Sequence, residues 1–171
     1  MTALVVREFR AEEWRLFREL RLRALADSPD AFAETVAEAE ARSDAEWREL
    51  LRGVCASPAH VLFVAERAAH AIGMVFGRLD AAAPALAHLG AMWVDPAERR
   101  FGAGRALVGA VTSWASERGA RAVELRVAEG NAPAELLYAN AGFARSDERA
   151  PLRAGSELRV RTMRLELDIA R

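Results

Sequence analysis

Residues 97–107 read AERRFGAGRAL. Gly102 and Gly104 stand one residue apart, and beyond them Leu107, Ala110, Val111 and Trp114 recur at helical spacing. Glycines at the mouth of a helix permit backbone angles closed to other residues and let a neighbour come close. A helix start also carries unpaired N–H donors and the positive end of the helix dipole. The stretch is therefore either a plain strand-to-helix turn or a cradle for an anion.

Three phosphate-binding loops compete for these glycines. A P-loop needs a lysine followed by serine or threonine after its second glycine, and the chain contains no lysine. A dinucleotide fingerprint needs a third glycine three residues after the second, where Leu107 stands. Glu124 lies about twenty residues on, roughly where a ribose-binding acid belongs. It falls in the middle of a predicted strand, however, and DPAERRF is a long connection where a Rossmann turn is tight. The third loop needs only what is present: successive backbone N–H groups from Arg99 to Gly104 aimed at a helix start, with Arg99 and Arg100 adding charge.

Outward from the glycines, the apolar period alternates between two and about 3.6. Leu4–Phe9 reads as a short strand, and a helix over about 12–26 carries the stripe Trp14, Phe17, Leu20 and Ala24. Ser28-Pro29 stops it. Residues 30–42 read equally as a loop with one helical turn or as a short helix. Ser43 and Glu46 form a capping box for the next helix, whose expected buried face is Trp47, Leu50, Leu51 and Val54. Then VLFVAE, AIGMVFGRL and LAHLGAMWV predict three strands in an antiparallel meander.

The glycine stretch leads into a helix over about 105–117, with Gly119 as its left-handed cap. AVELRV (122–127) is a strand, and Asn131 caps a short helix that Gly142 closes. A last strand pair brackets a polar loop near 148–157. Its long second member, LRVRTMRLEL, is a candidate to pair at a sheet edge and make a homodimer.

The 171 residues suit one domain, 1–171. Half are apolar, 29% are charged and the net charge is -1, a balance that suggests neither nucleic-acid nor membrane partners. All 24 basic residues are arginine, as GC-rich bacterial coding would give. A single cysteine, Cys55, allows no internal disulfide, and no leader or membrane-spanning run is evident, so a cytoplasmic setting is expected. His60, His70 and His88 are scattered, and no metal site is expected.

A second motif follows the first. VAEGNAPAELLYANAGF (127–143), taken with WVDPAERRFGAGRAL, resembles the GNAT superfamily of acetyl-CoA-dependent N-acetyltransferases. Val94, Pro96, Arg99, Gly102 and Gly104 match its pyrophosphate loop. Asn131, Ala134, Leu137, Tyr138, Gly142 and Phe143 match its Asn-x-x-Ala-x-x-Leu-Tyr-x-x-x-Gly-Phe pattern. Two positions depart: Arg100 stands where the family usually has glycine, and Ala103 replaces a commoner branched residue. Neither removes an N–H donor.

The resemblance implies an α/β (α+β) fold with a mixed, mostly antiparallel sheet of about seven strands flanked by helices. The sheet would splay between strands 4 and 5, that is, between the strand ending at Val94 and the strand 122–127. It also implies acetyl-CoA as co-substrate. The pantetheine arm would pair near Met92, Trp93 and Val94, and the pyrophosphate would rest on Arg99, Arg100, Phe101, Gly102, Ala103, Gly104 and Arg105. Asn131 is a further contact.

An amine would attack the thioester directly through a tetrahedral intermediate. A backbone N–H near Met92 would polarise the carbonyl, and Tyr138 would protonate the departing sulfur. Glu124 and His88 are the candidate bases, with ordered water as the alternative and Glu34 and Asp80 as outside candidates. Glu34, Glu38 and Glu40 read either as acids near the acceptor, which would favour a cationic amine, or as a solvated helical face. A non-catalytic acyl-CoA sensor on the same fold is the competing reading.

Overall fold

A computed structural model describes residues 3–168 of the chain. The element order is β1 (Leu4–Glu8), α1 (Trp14–Asp27), α2 (Val36–Glu40), α3 (Asp44–Ala56), β2 (His60–Arg67), β3 (His70–Leu79) and β4 (Leu86–Val94). It continues with α4 (Ala103–Glu117), β5 (Ala122–Ala128), α5 (Ala132–Asn140), β6 (Ala144–Pro151) and β7 (Arg159–Glu166). The ambiguous 30–42 segment is mostly loop with one short helix. Thr35 and Glu38 cap that helix reciprocally, and Ser43 and Glu46 do the same for α3.

The strands form one seven-stranded sheet in the order β1-β2-β3-β4-β5-β7-β6. Every neighbouring pair is antiparallel except β4 and β5. Each face of the sheet has its own core. Leu107, Val111 and Trp114 of α4 pack on Val75, Leu89 and Leu125. On the other face, Trp14, Phe17 and Leu20 of α1 and Trp47 and Leu51 of α3 cover Leu62, Val64 and Met74. The Phe17 and Trp47 rings meet edge to face at 5.5 Å.

β4 and β5 share a ladder only from Leu86–Ala122 to Leu89–Leu125. β4 continues to Val94 and β5 to Ala128, so the two strands fork after Leu89 and Leu125. A bulge in β4 lies just past that point. Gly90 faces Phe76 and Trp93 faces Met74, which leaves Ala91 and Met92 opposite the single residue Val75. Ala91 takes a left-handed φ of 49°. The extra residue bends the strand and reverses its alternation. Ala87 and Leu89 point into the α4 core before the bulge, and Met92 and Val94 do so after it. Trp93 is thereby turned into the opposite core.

Three expectations need correction. Leu50 is exposed rather than part of the buried face of α3, where Trp47 and Leu51 are buried and Val54 packs beside them. The polar loop expected from residue 148 begins later, since β6 runs to Pro151. β6 is polar on both faces, so it carries no alternation to read. Finally, β7 is not an edge strand: it lies between β5 and β6, and β1 and β6 are the edges. The stated reason for a homodimer through that strand therefore fails.

Candidate active site

The glycine stretch joins β4 to α4 at the open end of the fork. Gly102 is the N-cap of α4 with φ 88°, an angle that L side chains rarely adopt. A Cβ built at Gly102 has no atom within 4 Å, so the backbone there faces open space. Gly104 serves differently. A Cβ at that position would lie 3.1 Å from Leu137 Cδ2 and 3.4 Å from Met92 Cε, so its missing side chain lets α4 approach α5 and β4. Arg100 has φ 71°, which explains physically why glycine is the easier residue at that position.

Arg99 is committed to holding this loop. Its Nε donates to the Val94 carbonyl at 2.9 Å, and its Nη2 donates to Asp27, the last residue of α1. Asp27 also accepts from Trp93 Nε1 at 3.0 Å. Burial pushes the Asp27 carboxyl up, but hydrogen bonds from Trp93, Ser28 and Arg99 outweigh it and hold the group below its ordinary value. The cluster fixes the end of β4 against α1.

A cleft of about 440 Å³ follows the loop inward. Met92, Trp93 and Val94 of β4 line one side, with Arg99, Arg100, Gly102, Gly104 and Arg105 at its outer end. Asn131, Leu137 and Tyr138 line the other side. A smaller cavity of about 70 Å³ continues into the fork, bounded by Gly90, Ala91, Met92, Arg126 and Tyr138. Phe32 and Ala31, from the loop after α1, border both cavities.

Phe101 and Ala103 line neither cavity. Phe101 is exposed, with the Arg67 guanidinium over its ring at 5.6 Å, and Ala103 is buried in the α4 core. Asn131 caps α5 by accepting from the Ala134 N–H at 3.3 Å. Tyr138 is 6% exposed and packs edge to face on Phe143 at 6.0 Å. Burial alone raises its phenol above the ordinary value. The proton therefore stays on the oxygen throughout the neutral range.

Glu124 and His88 lie side by side on β5 and β4, but within the paired stretch before the fork. Glu124 accepts from Arg164 Nη1 at 2.8 Å, and His88 Nε2 lies 2.9 Å from Asp80. Neither lines the cleft or its inner cavity. Glu34 is held by Arg21 and Arg42, and Glu38 is engaged in the α2 capping box. Sequence reasoning placed no weight on Phe32 or Arg126 as site residues. Arg126 had one signal: it shares the β5 face with Glu124 and lies two residues nearer the open end. No group of acidic, histidine or cysteine side chains suited to a metal occurs among the described residues.

Residues 11–143 match the family model of the GNAT acetyltransferases. A mycothiol acetyltransferase from Thermobispora bispora is 33% identical over 130 residues, which cover 74% of this chain and 41% of that protein. The chain thus spans less than half the length of this relative. Among solved structures, a GNAT-family acetyltransferase from Streptococcus pneumoniae superposes with a TM-score of 0.81 at 19% identity, covering 96% of this chain and all of that one. A Salmonella typhimurium chain solved with its cofactor acetyl-CoA superposes with a TM-score of 0.79 at 17% identity, covering 98% and 95% of the two chains. No helix among the described residues is long and apolar enough to cross a membrane. On the family match, which takes in both the glycine loop and the Asn131–Phe143 segment, the chain belongs to the GNAT acetyltransferase family.

Proposed function

We propose that the protein is an N-acetyltransferase that moves an acetyl group from acetyl-CoA to a primary amine. The observation that carries this reading is one continuous path from the glycine loop to Tyr138. At its outer end, Gly102 leaves open space in front of the first turn of α4. At its inner end, β4 and β5 separate and leave backbone unpaired with each other. A phosphate-bearing thioester with an extended arm fits these features. The N–H groups at the α4 start and the guanidinium groups of Arg100 and Arg105 would hold its pyrophosphate. The backbone of Met92 to Val94 would pair with its arm, as an added strand pairs with a sheet edge.

Bound acetyl-CoA supplies a thioester carbonyl as electrophile and a thiolate as leaving group. The chain supplies the rest. The bulge at Ala91–Met92 re-aims backbone groups into the fork, where the Met92 N–H would donate to the carbonyl oxygen. Tyr138 keeps its proton at neutral pH and would give it to the sulfur. The amine proton would leave through water, because neither cavity is lined by a carboxylate or an imidazole.

The test is thiol release from acetyl-CoA in the presence of a panel of primary amines, with each product checked by mass. Acetylated amine with stoichiometric free thiol is the expected result. Acetyl-CoA binding without acetylation of any amine would contradict it and favour the acyl-CoA sensor.

A further inference from the structure

The charges that line the cleft and its inner cavity are all of one sign. The charged residues that line the cleft and its inner cavity are Arg99, Arg100, Arg105 and Arg126. The first three belong to the glycine loop and the α4 start, at the phosphate end. Arg126 stands apart. The last β4–β5 pair is Leu89–Leu125, so Arg126 is the first β5 residue past the fork. Val127 and Leu125 on either side of it point into the α4 core, which turns Arg126 to the opposite face of the sheet. There it is exposed and borders the same small cavity as Tyr138 and Gly90.

No carboxylate lines either cavity, and most of those nearby are paired, Asp30 beside Ala31 being the exception. Glu124 pairs with Arg164, and Glu129 pairs with Arg149 and Arg161. Glu34 binds Arg21 and Arg42 together, and Asp27 binds Arg99. Arg126 takes part in none of these pairs. Two more cations flank the neighbouring wall: Arg153 Nη1 donates to the Phe32 carbonyl at 3.2 Å, and the Arg21 guanidinium lies 4.9 Å over the Phe32 ring. A polycationic acceptor would meet the like charge of Arg126 here and no carboxylate in the lining of either cavity.

We propose that the acceptor is an amino carboxylic acid, and that Arg126 receives its carboxylate while the amine faces the thioester. This rests on the amine-acetylation reading and adds the class of amine. A guanidinium offers paired N–H donors matched to the two carboxylate oxygens, and it sits beside the fork where the reacting carbonyl would lie. Its charge also favours the neutral, nucleophilic form of a neighbouring amine. No covalent step beyond acetyl transfer is involved.

The experiment compares kcat/KM for free amino acids with that for their matched carboxamides, with spermidine as the polycationic arm, in the wild type and in Arg126→Met and Arg126→Lys. A charge-assisted contact predicts that the best acid exceeds its amide by at least about tenfold. Arg126→Met should cut that ratio to about threefold or less, and Arg126→Lys should retain part of it. Circular dichroism and acetyl-CoA affinity, measured by calorimetry, should match the wild type in both variants. Amides used as well as acids, or spermidine preferred, would overturn the inference while leaving amine acetylation intact. An acid preference that survives Arg126→Met in a folded, acetyl-CoA-binding protein would overturn the assignment to Arg126. If acetyl-CoA binds but no amine is acetylated, both readings fail together.

Discussion

Trp93 Nε1 and Asp27 are joined by a 3.0 Å hydrogen bond that ties the end of β4 to the last residue of α1. Arg99 donates to the same carboxylate oxygen, so one acid orients both a cleft wall and the loop beyond it. Asp27→Ala leaves the indole N–H and the guanidinium without this partner. The expected cost is about 1–3 kcal/mol, read as a lower melting temperature, with weaker acetyl-CoA binding beside it. The carboxyl is held below its ordinary value, so its contribution is complete above about pH 4. It is lost as pH falls through the depressed folded value. An acid titration of stability should therefore be shallower in Asp27→Ala than in the wild type.

Arg100 occupies a left-handed conformation at φ 71°, which costs a non-glycine residue about 1–2 kcal/mol. Arg100→Gly removes that strain and one positive charge together. Its melting temperature should rise while its affinity for acetyl-CoA falls. A variant that loses stability would show that the arginine side chain holds the loop in some other way.

Tyr138 is buried and its phenol is raised above the ordinary value, so the proton remains bound well past neutrality. Tyr138→Phe keeps the ring contact with Phe143 and removes only the hydroxyl. kcat should fall by roughly 10²-fold or more, the scale of a lost general acid, with acetyl-CoA affinity nearly unchanged. In the wild type, no falling limb from this group should appear below about pH 10. Because the folded state holds the proton more tightly than the unfolded chain, this group's share of stability is intact below that pH. It declines as pH rises beyond it.

Glu124 and His88 lie before the fork and are bound to Arg164 and Asp80. Glu124→Gln and His88→Asn should each keep kcat/KM within about threefold of the wild type, where loss of a true base costs 10²-fold or more. The rising limb of the pH profile should instead move with the pKa of the acceptor amine. A hundredfold loss in either variant would return the base role to that residue.

The parts legible in the sequence are those governed by local chemistry. A glycine at a left-handed helix start, a capping asparagine and a reciprocal Ser43–Glu46 cap each leave a short-range signature. Glu124 and Arg126 show the limit. Alternation places both on one face of β5, but which of them reaches the cavity depends on where β4 and β5 separate. That point is set by a bulge on another strand, with Ala91 in a conformation that alanine does not advertise. Phe32 was hidden for a similar reason. It comes from a loop with no apolar period and becomes a cleft wall only through tertiary contacts, with the Arg21 guanidinium over its ring and Arg153 donating to its carbonyl.

The central claim is that the glycine loop and the fork together hold acetyl-CoA. The most direct measurement is a calorimetric titration of the protein with acetyl-CoA, with NAD as the control ligand and Gly102→Glu beside the wild type. Gly102 has open space before it and φ 88°, so a glutamate there would strain the turn and put a negative charge where the pyrophosphate should lie. Micromolar binding of acetyl-CoA, no binding of NAD, and loss of acetyl-CoA binding in a folded Gly102→Glu protein are the predicted results. No binding of acetyl-CoA to the wild type, or equal binding by the variant, would contradict the account and leave Gly102 as a plain strand-to-helix turn.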